Sequence, residues 1–185
     1  QYAVAGNDKE KHYAMTKAGQ DKLEDWLTIP SEETPQQKDI FSLRSDEEIN
    51  KFLDRQPCNT IEDAIRFINN VNDNQKNNQS FYWVITLTET NTFMGTICLF
   101  DFIIVQKSCE IGYELLTKFQ GQGIMNEAAE AVVNYAFENF QIKTINAFSH
   151  VENKSSIRLL NKLGFKKSEE NKNENAHLNL YSISK

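Results

Sequence analysis

The chain reads as a mixed α/β domain in which a mostly antiparallel sheet is flanked by helices. Three observations predict this. Residues 81–116 are dense in β-branched and aromatic side chains and are broken by two short polar turns, which marks a three-strand meander. Gln120-Gly121-Gln122-Gly123 then separates that stretch from an Ala-rich segment with helical spacing. Further on, Asn153 precedes a short run with apolar positions at helical intervals that stops at Gly164, the pattern of an Asn-capped, Gly-terminated helix.

Taken in order, residues 1–25 are polar with only weak helical spacing between Lys11 and Trp26, and read as an N-terminal extension of uncertain structure. Residues 26–185 read as one domain. Trp26–Ile29 is short and β-prone, and the stretch from Pro30 to Lys38 has the composition of a loop. Ser45-Asp46-Glu47-Glu48 matches a capping box, with Ile49, Phe52 and Leu53 following at helical spacing. A second helix opens at Thr60, with Ala64, Phe67, Ile68 and Val71 on one face, and residues 72–78 read as a solvated loop. Phe81–Thr88 and Phe93–Val105 form a hairpin across residues 89–92, and Gln106-Lys107-Ser108 turns the chain into a third strand that ends at Leu116. Past the glycine loop, Ala128, Ala131, Val132, Tyr135 and Ala136 share a helical face. Lys143–Val151 is a strand, Ile157, Leu160 and Leu163 face inward from the Asn153 helix, and Leu178–Ser184 is a last strand. A helix between two strands implies one crossover connection.

Composition narrows the function classes. The 185 residues suffice for a sizeable core, and a net charge of -6 disfavours nucleic acid as a partner. An acidic balance suits an amine-bearing partner, although it also simply confers solubility. Cys58, Cys98 and Cys109 lack CxxC spacing and read as buried free thiols in a reducing cytoplasm. No apolar run approaches the roughly 18 residues of a membrane span, and no signal-peptide pattern opens the chain. His12, His150 and His177 have no metal-ligand spacing, so no metal is expected. The absence of GxSxG or a Cys–His arrangement argues against a covalent acyl-enzyme.

The glycine loop has a specific chemistry. Gly121 and Gly123 permit backbone dihedrals that let amide N–H groups approach a ligand closely. The helix that opens with Ile124, Met125 and Asn126 adds the positive end of its dipole, which favours a phosphate or pyrophosphate.

The segments EIGYELL, FQGQGIMNEA and HVENKSSIRLLNKLGFKK together resemble the GNAT superfamily of N-acetyltransferases. More narrowly, they look like its ribosomal-protein N-terminal acetyltransferase (RimJ/RimL-like) branch. The resemblance runs from about Ile40 to Ile183 and implies acetyl-coenzyme A as co-substrate. It also implies a primary amine as acceptor, on a protein N-terminus or a small molecule, and is compatible with a homodimer. The loop Gln120, Gly121, Gln122, Gly123, with Ile124, Met125 and Asn126, would then wrap the pyrophosphate. Met125 stands where the family has glycine or alanine. The pantetheine arm would pair with the strand ending Tyr113-Glu114-Leu115-Leu116, splayed from the strand 144–151. Asn153 would contact the coenzyme, cap its helix, or do both. Ser156 would offer a hydroxyl to the departing thiolate, or act only as a solvated or capping serine. Glu110 and Glu114 share a strand face, and either would serve as base through water. Glu127 suits the dipole of its helix, Tyr113 lines the acceptor site or fills core, and His150 is an acceptor-side candidate. The acceptor pocket is expected from residues 45–74 and 101–108. The alternative reading is an inactive acyl-coenzyme A sensor.

Overall fold

Side chains that alternate between two buried cores hold the centre of the sheet. The computed structural model describes residues 2–4, 13–15, 35–87, 90–169 and 175–185. The meander forms as β3 (Phe81–Leu87), β4 (Thr92–Ile103) and β5 (Ser108–Leu115), paired antiparallel in sequence order. On β3, Phe81, Trp83 and Ile85 face one core while Tyr82 and Val84 face the other, as a period of two requires. Two short strands, β1 (Tyr2–Val4) and β2 (Tyr13–Met15), extend the sheet beyond β3. On the far side lie β6 (Thr144–His150), β8 (Leu178–Ser184) and the two-residue β7 (Lys166–Lys167). The order is β1-β2-β3-β4-β5-β6-β8-β7, and among the described residues only the β5–β6 pair is parallel.

Helices cover both faces. On one side α4 (Ile124–Asn139) and α5 (Lys154–Lys162) pack over Trp83, Ile97, Leu99, Ile111 and Ile145. Small residues on α4, Ala128, Ala129 and Ala136, are buried there and let the helix lie close to the strands. On the other side α1 (Pro35–Ser45), α2 (Glu47–Asn50) and α3 (Ile61–Lys76) enclose Ile40, Leu43, Ala64, Ile68, Tyr82 and Phe93. Thr60 caps α3 with a full capping box to Asp63, an arrangement worth about 1 kcal/mol. Among the described residues no helix is long and apolar enough to cross a membrane.

Several expectations are corrected. The stretch read as loop up to Lys38 starts α1, with Pro35 at the first helical position, where its missing N–H costs nothing. Only a narrow stripe, Ile40 and Leu43, is wholly buried on α1, which is too little to show as periodicity in the sequence. Ser45 ends α1 rather than capping the next helix. Asp46 is the cap, its carboxylate accepting from the Glu48 and Ile49 N–H groups at 2.9 and 3.1 Å. The polar run 72–78 is not all loop. Helix α3 runs through Lys76 because Val71 is still buried, and the chain breaks only at Asn78 with φ of 54°. Strand β4 stops at Ile103, short of Val105, after a bulge where Asp101 has φ of 50°. Tyr13–Met15, inside the stretch read as weakly helical, is a strand, whereas Trp26–Ile29 lies outside the described residues.

Candidate active site

The site begins where one ladder stops. Strands β5 and β6 pair only at Ser108–Thr144, Cys109–Ile145 and Glu110–Asn146. Past that point β5 stays with β4 as far as Leu115–Gly95, and β6 stays with β8 as far as His150–Leu178. The two central strands therefore open as a V whose apex is at Glu110 and Asn146. One edge of the V is the backbone of residues 111–115, which has no ladder partner on the β6 side. Gly95 makes the opposite edge of β5 fit. A Cβ there would lie 2.2 Å from the Glu114 carbonyl oxygen and 2.8 Å from Leu115 Cα.

A cavity of about 380 Å³ fills the open end. The structure brings Glu114, Leu115, Gln120, Gly121, Gly123, Ile124, Met125, Asn126, Asn153 and Ser156 to its walls. Gln122 and Glu110, which the sequence also nominates, are not on those walls. Gln122 instead donates from its side chain to the Lys118 carbonyl at 2.9 Å. Gln120 donates to the Leu115 carbonyl at 2.9 Å, which folds the loop back on the strand end. Gly121 and Gly123 have φ of 73° and 85°, and Gly123 is the left-handed N-cap of α4. Its first-turn N–H groups thus open toward the cleft with no side-chain cap over them. Met125 is buried in the core cluster while touching the cleft, so its length is absorbed by packing rather than by the ligand space. The Asn126 Oδ1 is buried at the same wall with no hydrogen-bond partner.

The far wall carries the hydroxyls. Asn153 caps α5, its Oδ1 accepting from the Ser156 N–H at 3.0 Å, and it lines the cleft as well. The Ser156 hydroxyl meets the Tyr113 hydroxyl at 2.9 Å, a link from α5 to β5 across the V. Burial pushes the Tyr113 phenol up to about 12, and the Ser156 hydrogen bond pulls it back only in part.

The two strand carboxylates occupy different settings. Glu114, on the cleft wall, accepts a bidentate guanidinium fork from Arg55, with Nη2–Oε2 at 2.7 Å, and is also met by Arg44 Nη1 at 3.4 Å. Arg44 lies in turn over the Phe67 ring, 3.7 Å from its centroid. Glu110 is half-buried at the apex, and burial, then the Asp101 charge, raises its carboxyl to about 7. Four residues of strand separate the two carboxylates, about 13 Å at the usual rise.

Sequence reasoning missed Arg44, Arg55 and the Tyr113–Ser156 link. The partners are 70, 59 and 43 residues apart, and no local pattern announces such pairs. Residues 45–74 do supply part of the wall, through Glu48, Ile49, Phe52 and Leu53. The 101–108 region does not, because it sits at the opposite end of β5 from the cleft. His150, on the end of β6, stacks on His177 at 5.7 Å between ring centroids and meets the Phe52 ring at a tilt at 5.6 Å. Glu127 is in the first turn of α4, where a carboxylate suits the dipole. The three cysteines are unpaired, and burial raises the Cys98 and Cys109 thiols to about 12.

These features fit a ligand with an anionic head and a linear amide-bearing arm. The uncapped α4 start and two left-handed glycines suit a pyrophosphate, and the orphaned Asn126 oxygen awaits a donor. The unladdered 111–115 backbone suits an arm that pairs as a strand would.

Known proteins resemble this chain in sequence and in fold. The chain is 31% identical over 142 residues to the uncharacterized N-acetyltransferase p20 of Bacillus licheniformis, covering 76% of this chain and 79% of that one. Its fold is similar to that of the microcin C7 self-immunity acetyltransferase MccE in complex with acetyl-CoA and AMP, with a TM-score of 0.68 at 23% identity over 80% and 86% of the two chains. It is also similar to RimL, the ribosomal L7/L12 alpha-N-protein acetyltransferase in complex with coenzyme A, with a TM-score of 0.69 at 20% identity over 80% and 86%. The model of the acetyltransferase (GNAT) domain matches residues 31–166, and the chain belongs to the GNAT family of acetyl-CoA-dependent N-acetyltransferases.

Proposed function

We propose that this acetyltransferase moves the acetyl group of acetyl-coenzyme A directly to a primary amine on a protein N-terminus or a small molecule, without an acyl-enzyme. The observation that carries the reading is the V between β5 and β6, with the glycine loop at its mouth and Tyr113 and Ser156 on its walls. Acetyl-coenzyme A supplies an activated thioester carbonyl. The N–H groups of residues 121–126 hold the pyrophosphate, and the β6-side edge of residues 111–115, which has no ladder partner there, aligns the arm. Asn153 caps α5 and faces the arm at once.

For the acceptor, we assign Glu110 as the base that takes the ammonium proton through water. It stands at the apex of the V, off the cavity walls, so it acts through a relay of waters, and burial raises its carboxyl to about 7, where a base is most effective. Glu114 is assigned a positioning role, since guanidinium donors from Arg44 and Arg55 engage its oxygens. Ser156 donates to the departing sulfur. We place the reaction in the cytoplasm, in keeping with three unpaired cysteines.

The test is free-thiol release from acetyl-coenzyme A across a panel of N-terminal peptides, amino acids and polyamines. Release with at least one amine is expected. Tight coenzyme A binding with no release on any amine would instead identify an acyl-coenzyme A sensor.

A further inference from the structure

The hydrogen bond between the Tyr113 and Ser156 hydroxyls has a consequence for proton delivery that burial alone does not explain. Tyr113 stands on the α4–α5 face of β5, one residue before Glu114, which points to the opposite face. Its ring packs against the main core, but its hydroxyl reaches the cleft wall and ends on Ser156 Oγ at 2.9 Å. Phenylalanine would fill the same core space, so packing does not call for the oxygen.

Two hydroxyl hydrogens are available to this pair, and the bond between the oxygens uses one of them. A phenol is the stronger acid and an alkyl hydroxyl the better acceptor, so the phenol donates to Ser156 Oγ. That fixes the Ser156 rotor and leaves its own hydrogen to point into the cleft. The Asn153 side chain is hydrogen-bonded to the Ser156 backbone N–H, through its Oδ1, and not to the Ser156 hydroxyl. Ser155 also lines the cleft, but its Oγ accepts from Arg158 Nη2 at 3.4 Å and makes no link to β5. The inward face of α5 offers no other hydroxyl: Leu160, one turn further on, is wholly buried hydrocarbon.

We infer that Tyr113 is a positioning residue for acetyl transfer, orienting and recharging the Ser156 hydroxyl that protonates the departing sulfur. The inference rests on the reading of the cleft as an acetyl-transfer site. As the amine nitrogen bonds to the acetyl carbon, the carbon–sulfur bond breaks and its electron pair stays on sulfur. Sulfur takes the Ser156 proton, Ser156 takes the Tyr113 proton, and water returns a proton to Tyr113. The nitrogen loses one proton to water, so the sum is one amide and one thiol.

The experiment is a double-mutant cycle of Tyr113→Phe and Ser156→Ala, read by kcat and by coenzyme A affinity as a function of pH. Ser156→Ala should lower kcat roughly a hundredfold and Tyr113→Phe about tenfold, with KM for the amine held and the double variant no slower than Ser156→Ala. In wild type, coenzyme A should bind more tightly as pH rises and its thiol ionises, since the hydroxyl pair stabilises a thiolate. Both single variants should flatten that dependence. An unchanged kcat in Tyr113→Phe, or losses that multiply in the double variant, would overturn the inference. Wild-type turnover is the control that separates the two layers. If wild type releases no thiol with any amine, the transfer reading fails, and the pH dependence of coenzyme A affinity still decides whether the pair acts on sulfur. Equal slopes in wild type and Tyr113→Phe would then reject it.

Discussion

Replacing Glu110 by Gln should abolish a pH dependence that the wild-type enzyme shows around neutrality. The side chain is half-buried at the apex of the V, and burial first and the Asp101 charge second raise its carboxyl from 4.5 to about 7. A base that titrates there is ionised to about 0.09 at pH 6 and about 0.91 at pH 8, so its contribution to rate rises about tenfold over that range. The acceptor amine titrates too, but its effect cancels in the ratio of wild-type to Glu110→Gln rates with the same amine. That ratio, measured as kcat/KM from thiol release, should climb about tenfold from pH 6 to pH 8. The same group leaves a trace in stability. Between pH 5 and 8 the folded state sheds a proton that the unfolded chain, titrating near 4.5, has already lost. Wild type should therefore lose stability relative to Glu110→Gln progressively between about pH 4.5 and about 7, and the difference should level off above that. A flat rate ratio across the range would refute the assignment of Glu110 as base, whatever the absolute rates.

Other perturbations test the frame around the site. Gly123→Val forces a β-branched residue to φ of 85°, which costs about 1–2 kcal/mol or more. Calorimetric titration should show coenzyme A affinity reduced by about tenfold or more, because the loop can no longer present its amides. Glu114→Ala leaves Arg44 and Arg55 facing each other with no counter-charge in a setting only 13–17% exposed. Breaking such a pair costs about 3–5 kcal/mol, and the urea midpoint should fall accordingly with little change in slope. Gly95→Ala places a Cβ 2.2 Å from the Glu114 carbonyl oxygen, so β4 and β5 must part. Thermal unfolding should register about 1–3 kcal/mol of lost stability, and coenzyme A affinity should fall with it.

Much of the fold was legible because its signals are local. The meander announces itself through β-branched and aromatic density, Thr60 through its capping box, and α5 through Asn153 and Gly164. Helix α1 was not legible, since Ile40 and Leu43 alone make too narrow a stripe and Gln37 is buried beside them. The end of α3 was hidden by a run of polar residues that helix formation tolerates once Val71 is anchored. In the site, the donor side could be read from the glycine loop because backbone conformation is encoded by neighbouring residues. The acceptor side could not. The ion pairs of Glu114 and the Tyr113–Ser156 bond join residues far apart in sequence, and the place where β5 leaves β6 depends on pairing with β4 and β8. For the same reason, the parity of Glu110 and Glu114 was predictable while their different surroundings were not.

The central claim, that acetyl-coenzyme A lies in the V with its pyrophosphate on the glycine loop, has a direct test in amide hydrogen exchange with and without coenzyme A. The expected result is protection concentrated at the alternate N–H groups of residues 111–115 that face the β6 side, where β5 has no ladder partner, and at residues 124–126, the first turn of α4, which has no side-chain cap. Binding that protects other segments and leaves both of these stretches exchanging as in the free protein would contradict it.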